Sequence, residues 1–307
     1  MTQPRFKIGS RGSPLALAQA RMVAAALERA HGWPNATVEI VAVRTSGDRI
    51  QDRPLAEVGG KALWTKELDL ALLAGGTDCS VHSMKDVESE RPDALLIAAM
   101  LPRADVRDRL IGAASIAKLP PGAKVGTSSP RRAAQLKRLR RDLQIVSIRG
   151  NVDTRLAKCD AGEVDATLLA AAGLDRLDRP DVGVPIELAA MLPAPAQGAI
   201  GIECRANDSA TAALLQAIDH RETHQAVLAE RVFTRALGGT CHSPVAAHAM
   251  IDGNEIAFSC ELLSEDGSDR LAEAIRFPIG DLETPALLAH RMLSEAPASI
   301  RQLFEGR

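Results

Sequence analysis

Two segments of this chain, far apart in the sequence, follow the same pattern. Lys7–Gln19 reads KIGSRGSPLALAQ, and Lys124–Gln135 reads KVGTSSPRRAAQ. Each runs from a short apolar stretch through a turn of small residues to a Ser-Pro pair, which is typical of a helix N-terminus. Coincidence over so short a stretch is one interpretation. We favour the other, in which two similar lobes each direct a strand–turn–helix unit at a shared cleft, because open α/β sheets bind ligands at the carboxyl ends of their strands.

The rest of the sequence favours the same architecture. Apolar or β-branched runs alternate with helical stretches as far as Gly239, which indicates α/β lobes with parallel strands. Beyond Pro244, alternating runs and the turn residues Asp252–Asn254 and Asp266-Gly267 indicate an antiparallel sheet and hence an α+β tail. The predicted strands of the lobes are Phe6–Ile8, Thr37–Val43, Cys79–Ser83, Leu95–Met100, Leu110–Ile111, Ala166–Leu169 and Ile200–Cys204. The predicted helices include Leu15–Ala30, Leu63–Leu73, Glu222–Leu237 and Pro285–Ser294.

Composition describes a soluble globular protein and disfavours several classes. With a net charge of −2 and only 2% aromatic residues, the chain lacks both the basic field and the stacking side chains of nucleic-acid binders. No N-terminal apolar core resembles a secretory signal, and no apolar run is long enough to span a bilayer, so we expect a cytoplasmic protein. The five cysteines lack metal-ligand spacing, so we expect neither a metal site nor structural disulfides.

The segment Lys124–Arg155 contains the strongest signal for a ligand. Its Ser-Pro pair starts a helix whose first turn carries Arg131 and Arg132, and cations at that end oppose the helix dipole. Helix stability alone would not select such a pair, whereas an anion in front of the helix would. Arg149 and Arg155 follow in the next strand–turn–helix unit. A solvated arginine-rich surface explains any one of them equally well; for the four together we favour an anion site.

A second candidate lies directly after the predicted strand Cys79–Ser83, where the chain continues with Met, Lys85 and Asp86. A carboxylate at the end of a strand in a cleft can act as a general acid or base, or can stabilise a developing cation. A surface ion pair with its lysine neighbour is the equally weighted alternative. His82 lies inside the strand and is more typical of a packed core histidine than of a catalyst.

Cys241 differs from the other cysteines because it follows Gly238 and Gly239 in a loop after a helix. The glycines permit backbone conformations that bring the thiol close to a bulky group. Cys79 and Cys204 lie in apolar strands and fit an inert buried thiol. No partner pattern of His and Asp suggests a protease, so acyl transfer is a weak candidate.

These residues occur in stretches that resemble the porphobilinogen deaminase family. The matches extend over most of the chain, and the order HSMKD, GTSSxRR, RGNVxTR is their most specific part. The matching stretches are Ser10–Ala18, Val58–Glu67, Val81–Asp86, Val125–Arg132, Ser147–Arg155, Ala171–Leu177, Gln197–Arg205 and Leu237–Cys241.

The resemblance implies a transferase that condenses four porphobilinogen molecules, with release of ammonia, into linear hydroxymethylbilane for tetrapyrrole biosynthesis. It also implies a dipyrromethane cofactor joined by a thioether to Cys241, and a catalytic carboxylate at Asp86. Because every pyrrole bears an acetate and a propionate, the growing chain needs many cationic and hydroxyl donors. The cofactor- and substrate-binding residues implied are Arg11, Ser13, Lys61, Ser83, Lys85, Thr127, Ser128, Ser129, Arg131, Arg132, Arg149, Gly150, Arg155, Arg176 and Gln197.

The fold implied by the resemblance is two similar periplasmic-binding-protein-like α/β lobes with mixed sheets around a cleft, plus a small C-terminal α+β domain. The expected boundaries are 1–101 with 198–219, 102–197, and 220–307, with the lobes joined near Leu101–Ala104 and Ala194–Gly198. The C-terminal domain would carry the cofactor cysteine, and the resemblance suggests a monomer.

The sequence departs from the family pattern at a few positions. Glu57 stands where many relatives carry lysine, Trp64 replaces a usual phenylalanine, and Pro195-Ala196 replaces Val-Gly. Gly238 and Thr240 also alter the usual run before the cysteine. A non-catalytic two-lobed binder of small carboxylates or phosphates is the competing class, although it has no use for the cysteine or for the carboxylate after HSMK.

Overall fold

The computed structural model describes residues 6–43, 62–238 and 243–304. The chain forms two compact units: Met1–Ala104 with Gly198–His224, and Asp105–Gln197 with Gln225–Arg307. The C-terminal residues therefore group with the middle of the chain, while the predicted division into three domains stays a prediction. Within the described ranges, the helices are too short or too polar to cross a bilayer.

The strands and helices of the described residues follow one another in chain order. The strands are β1 (Phe6–Arg11), β2 (Val38–Val43), β3 (Cys79–Ser83), β4 (Leu95–Met100), β5 (Asp108–Ile111), β6 (Lys124–Gly126), β7 (Gln144–Val146), β8 (Ala166–Ala170), β9 (Val184–Pro185), β10 (Ile200–Arg205), β11 (Val245–Asp252), β12 (Glu255–Leu263) and β13 (Arg270–Pro278). The helices are α1 (Pro14–His31), α2 (Ala62–Leu73), α3 (Pro130–Leu139), α4 (Val152–Asp160), α5 (Ala171–Asp175), α6 (Ser209–Gln216), α7 (Arg221–Leu237), α8 (Glu283–Glu295) and α9 (Ala298–Arg301).

Each unit contains a five-stranded mixed sheet, and the two sheets have the same arrangement of strand directions. The first has the order β2-β1-β3-β10-β4 and the second the order β7-β6-β8-β5-β9. In each, the first three strands are parallel and the fourth is antiparallel to both of its neighbours. The repeated sequence pattern occupies equivalent places, β1–α1 and β6–α3, so the prediction of two similar α/β lobes is confirmed.

The repeated Ser-Pro pairs act as predicted at the starts of these helices. The Ser13 hydroxyl accepts from the backbone N–H of Ala16 at 3.4 Å, and Ser129 accepts from Arg132 N–H at 3.4 Å. Pro follows each serine in the first turn, where its missing N–H leaves no bond unmade. Helix α1 ends at Gly32, which has a left-handed backbone with φ of 60°.

The C-terminal residues form an antiparallel sheet in the order β11-β12-β13, as predicted. One face of this sheet packs on helices α7, α8 and α9 around a buried core that includes Phe233, Phe258 and Phe277. The other face contacts α3 of the middle lobe (105–197), because Glu261 of β12 accepts a hydrogen bond from Gln135. The β12–β13 turn also lies against the backbone of Ala134 and Arg138. This contact places the C-terminal sheet and the middle lobe in one unit.

Candidate functional site

Predicted site residues of the first unit lie at one edge of its sheet. Strands β1 and β3 are parallel neighbours with Gly9 opposite Ser80, so their carboxyl ends meet at the same edge. Arg11 ends β1 and Ser83 ends β3. Ser13, Lys85 and Asp86 follow within a few residues of these ends, so the structure brings this subset together.

Asp86 lies on a single turn of 3-10 helix, Met84–Asp86, that continues directly from β3. The Met84 side chain is buried against Gly201 of β10, where an added Cβ would come within 2.1 Å of the sulfur. The Met84 backbone N–H donates to Ala199 O at 3.1 Å, and Val87 N–H donates back to Met84 O at 3.2 Å. Both ends of the turn are therefore fixed, while the Asp86 side chain is only half-buried.

Ser83 is held by a residue that the sequence-based list of site residues omitted. The Gln19 amide Nε2 donates to Ser83 Oγ at 2.8 Å, and the hydroxyl lies 3.1 Å from Gln19 Oε1. Gln19 is buried on α1 and is the glutamine that closes the first copy of the repeated pattern. The repeat was the signal that could have identified it.

His82 is a buried core histidine, as predicted. Its Nε2 atom lies 3.3 Å from Glu203 Oε2 of β10, without the angles of a good hydrogen bond. The contact is therefore electrostatic.

In the second unit, the turn Thr127–Ser129 lies at the carboxyl end of β6 and binds its own neighbours. The Thr127 N–H donates to Val146 O at 2.9 Å, and the Thr127 hydroxyl accepts from Ser129 N–H at 3.1 Å. Ser128 Oγ donates to Ile148 O at 2.6 Å. These bonds join the turn to the residues after β7, so two adjacent strand ends are held together.

Arg131 and Arg132 already have an anionic partner within the protein. Arg131 Nη2 donates to Asp108 Oδ2 at 2.8 Å, and Arg132 Nη2 donates to Asp108 Oδ1 at 2.7 Å. All three side chains are buried. Asp108, at the start of β5, is thus an internal anion near this helix terminus. Whether the pair also binds cofactor carboxylates stays a prediction.

Electrostatics of this cluster follow from burial and close charge. Burial alone would raise the pKa of Asp108, but the charges of Arg131 and Arg132 outweigh it and hold that pKa far below its usual range. Burial lowers the pKa of Arg131, and Asp108 opposes that shift. Asp108 therefore stays ionised at neutral pH. Asp108 was not among the predicted site residues; its signal in the sequence is a carboxylate two residues before the apolar pair Leu110-Ile111.

Gln197 belongs to the same cluster. Its Nε2 atom donates to Asp108 Oδ1 at 2.8 Å and to Val106 O at 2.7 Å. The side chain is buried, and the preceding residue, Ala196, has a left-handed backbone with φ of 61°. Glycine would adopt this conformation without that strain.

The remaining arginines of the second unit lie near the carboxyl ends of β7 and β8. Arg149 is half-buried, and its Nη1 atom is buried without a hydrogen-bond partner. Gly150 has φ of +116°, and an added Cβ would lie 2.6 Å from Thr154, so only glycine fits there. Arg155 Nε donates to Gly150 O at 3.1 Å. Burial lowers the pKa of Arg176 to about 10, so this cation is poorly solvated yet charged at neutral pH.

Lys61 and Cys241 lie outside the described residues, as does Glu57. Cys79 and Cys204 fit the prediction of inert thiols, because burial raises the pKa of both. Burial likewise raises the pKa of Cys159 and that of Cys260, the latter to about 12.

Sequence comparisons match this chain to one family along most of its length. The family model described as porphobilinogen deaminase, dipyromethane cofactor binding domain, matches residues 6–213, and the porphobilinogen deaminase C-terminal domain matches residues 224–295. A porphobilinogen deaminase of Sphingopyxis alaskensis is 58% identical over 306 residues, covering 97% of this chain and 96% of the relative. One of Nitrobacter winogradskyi is 48% identical over 305 residues, with coverage of 97% and 96%. By both measures, the chain belongs to the porphobilinogen deaminase family.

Proposed function

We propose that this chain condenses four porphobilinogen molecules head to tail, with release of ammonia, into linear hydroxymethylbilane for tetrapyrrole biosynthesis. Membership of the porphobilinogen deaminase family carries this proposal, because the matched relatives share 58% and 48% of their residues over nearly their whole length. We further propose a cytoplasmic monomer.

Asp86 is the proposed catalytic residue. Loss of ammonia from porphobilinogen leaves an electrophilic azafulvenium cation, which the free α-carbon of the growing chain attacks. A carboxylate near the pyrrole nitrogens stabilises that cation and accepts protons during the condensation. The fixed turn Met84–Asp86 supports this role, since a catalytic carboxylate must be held in place while its side chain stays accessible.

The cationic residues are proposed to bind the acetate and propionate groups of the pyrroles. Arg149 has a buried Nη1 atom without a partner, and Arg176 is a poorly solvated cation, so carboxylates would satisfy the first and stabilise the second. The residues present thus fit a polyanionic cofactor. When bound, dipyrromethane supplies the pyrrole end that primes chain growth, and the proposed attachment point is the thiol of Cys241. Arg11, Ser13, Lys61, Ser83, Lys85, the Thr127–Ser129 turn, Arg131, Arg132, Gly150, Arg155 and Gln197 complete the proposed binding set.

Intact-mass measurement of the purified chain tests the covalent cofactor directly. We expect the wild-type chain to carry an added mass corresponding to dipyrromethane, and Cys241→Ser to lose both that mass and the activity. Cys159→Ser is the matched control, because this half-buried thiol lies on α4 and the variant should keep the added mass. A fully active wild-type preparation with the mass of the bare sequence would refute the proposal. A non-catalytic binder would likewise show the bare mass, and no turnover.

A further inference from the structure

One guanidinium in the first unit contacts three carboxylates. Arg91 donates through Nε and Nη2 to the two oxygens of Glu203, each at 2.9 Å. Its Nη1 donates to Glu88 Oε2 at 3.0 Å, and Nη2 also donates to Asp69 Oδ1 at 2.6 Å. The Arg91 side chain is 9% exposed and that of Glu203 is fully buried. Such a forked arrangement requires arginine, because lysine presents a single point charge.

The three carboxylates come from different parts of the unit. Asp69 lies on α2, Glu203 lies on β10, and Glu88 lies two residues after Asp86. The Thr65 hydroxyl of α2 contacts Glu88 at 3.2 Å. Arg91 thus connects the segment that follows Asp86 to helix α2 and to strand β10.

The segment that precedes Asp86 also contacts Glu203. His82, four residues before Asp86, places its Nε2 atom 3.3 Å from Glu203 Oε2. Burial alone would raise the pKa of Glu203, but His82 and Arg91 lower it to about 2, so Glu203 is ionised at neutral pH. The Arg91–Glu203 pair is therefore a charged, buried anchor for both flanks of the turn Met84–Asp86.

We propose that Arg91 is a positioning residue for Asp86. By holding Glu88 on one side and, through Glu203, His82 on the other, it fixes where the turn presents the carboxylate. Misplacing a catalytic group by about 1 Å lowers a rate by up to about a hundredfold, so loss of the anchor should reduce turnover rather than substrate binding. The proposal rests on the proposed function, in which Asp86 is the catalytic carboxylate.

Arg205 offers a matched control in the same unit. It ends β10 and donates to Leu72 O at 2.9 Å, to Thr77 O at 2.8 Å and to Asp208 at 2.5 Å. Its bonds hold α2 to the sheet at the end of β10 opposite to the one that pairs with Ser83. Arg205→Lys therefore removes a comparable set of bonds without touching the flanks of Asp86.

A double-mutant cycle separates positioning from general stability. We expect Arg91→Lys to lower kcat about tenfold to a hundredfold, with the KM for porphobilinogen and the covalent cofactor mass unchanged. Arg205→Lys should lower the melting temperature by about as much as Arg91→Lys does, and should leave kcat near the wild-type value. Asp86→Asn should nearly abolish turnover while keeping the fold and the cofactor, and adding Arg91→Lys to it should lower the residual rate by less than about twofold.

Equal costs of Arg91→Lys in the wild-type and Asp86→Asn backgrounds would overturn the positioning role alone. Wild-type turnover in Asp86→Asn would instead remove Asp86 from the proposed function. If Arg91→Lys does not fold, Glu88→Gln is the second variant, because Glu88 is 29% exposed and joins Arg91 to the segment after Asp86. Glu90→Gln, at an exposed position of the same segment, is its control. Unchanged kcat in Glu88→Gln would count against the proposal.

Discussion

Two buried arginines of the second unit share one carboxylate, Asp108. Its two oxygens each accept from one guanidinium, and Oδ1 also accepts from Gln197. With that carboxylate removed, two buried cations would lose the one anion that both contact. Breaking a buried pair in this way is strongly destabilising, even where replacing every partner by apolar groups is not.

Asp108→Asn should therefore destabilise the protein by about 3–5 kcal/mol, as measured by urea unfolding at pH 7. Asp142→Asn is the control, since Asp142 pairs with Arg140 at the surface and its loss should change stability much less. A loss no larger than that of the control would show that Asp108 does not hold the pair.

The dependence of stability on pH tests the same ionised carboxylate. Because the folded-state pKa of Asp108 lies far below its ordinary value of about 3.9, its contribution is fully present above that value and is lost as the pH falls below it. Glu203, with a folded-state pKa lowered to about 2, loses its contribution in the same direction. Unfolding measured between pH 5 and pH 2 should show a shallower loss in Asp108→Asn than in the wild type.

Individual residues also show how far sequence reasoning reaches. The charge of Arg131 and Arg132 against a helix dipole indicated an anion nearby, because that argument is local; Asp108 is such an anion, and a bound anionic ligand stays a prediction. It could not identify the anion, since Asp108 meets α3 only after β5 has paired with β8. Gln19 and Ser83 are likewise 64 positions apart and meet only in the folded sheet.

At the scale of elements, the capped starts of α1 and α3 were predictable from the sequence, whereas the end of β1 was not. Ser13 and Ser129 cap α1 and α3 through side-chain bonds to residues three positions ahead, which are visible in the sequence. Strand β1 runs to Arg11 instead of ending at Ile8, because its pairing with β2 continues to Arg11 opposite Val43. That pairing partner is distant in the chain, so its extent was not predictable from local pattern.

The turn between β12 and β13 shows how one residue sets the contact between elements. Gly267 has φ of +69°, and an added Cβ would lie 2.2 Å from Ala134 O and 2.8 Å from Arg138 N of α3. Gly253, in the β11–β12 turn, has a similar φ of +63° with nothing within 4 Å. The two glycines share the backbone requirement and differ in what a methyl group would meet.

Gly267→Ala should therefore be more destabilising than Gly253→Ala. Both variants force alanine into a left-handed conformation, at about 1 kcal/mol. Overpacking against α3 should add about 1–3 kcal/mol for Gly267→Ala alone. Thermal and urea unfolding of the two variants measure the difference. Equal losses of stability would mean that the turn does not pack closely against α3.

At the scale of the whole molecule, the repeat in the sequence predicted the two lobes but did not predict how the C-terminal sheet packs. The repeated glutamines have taken different partners: Gln19 binds Ser83, whereas Gln135 binds Arg131 Nη1 at 2.8 Å and also Glu261 of β12. Arg270 of β13 holds the other oxygen of Glu261 at 2.7 Å. A continuous chain of polar contacts thus runs from the C-terminal sheet to the arginine pair.

This chain of contacts predicts that the middle lobe and the C-terminal sheet open together. Gln135→Ala leaves the buried carboxylate of Glu261 and the guanidinium of Arg131 each short of one partner, which destabilises both sides of the contact. We expect faster hydrogen exchange in α3 and in β12, with exchange in β10 of the first unit unchanged. Gln19→Ala is the matched control, because the same residue type at the equivalent place of the repeat should speed exchange at the end of β3 and leave β12 unchanged. If Gln135→Ala affects α3 alone, the C-terminal sheet is not coupled to the arginine pair through Glu261.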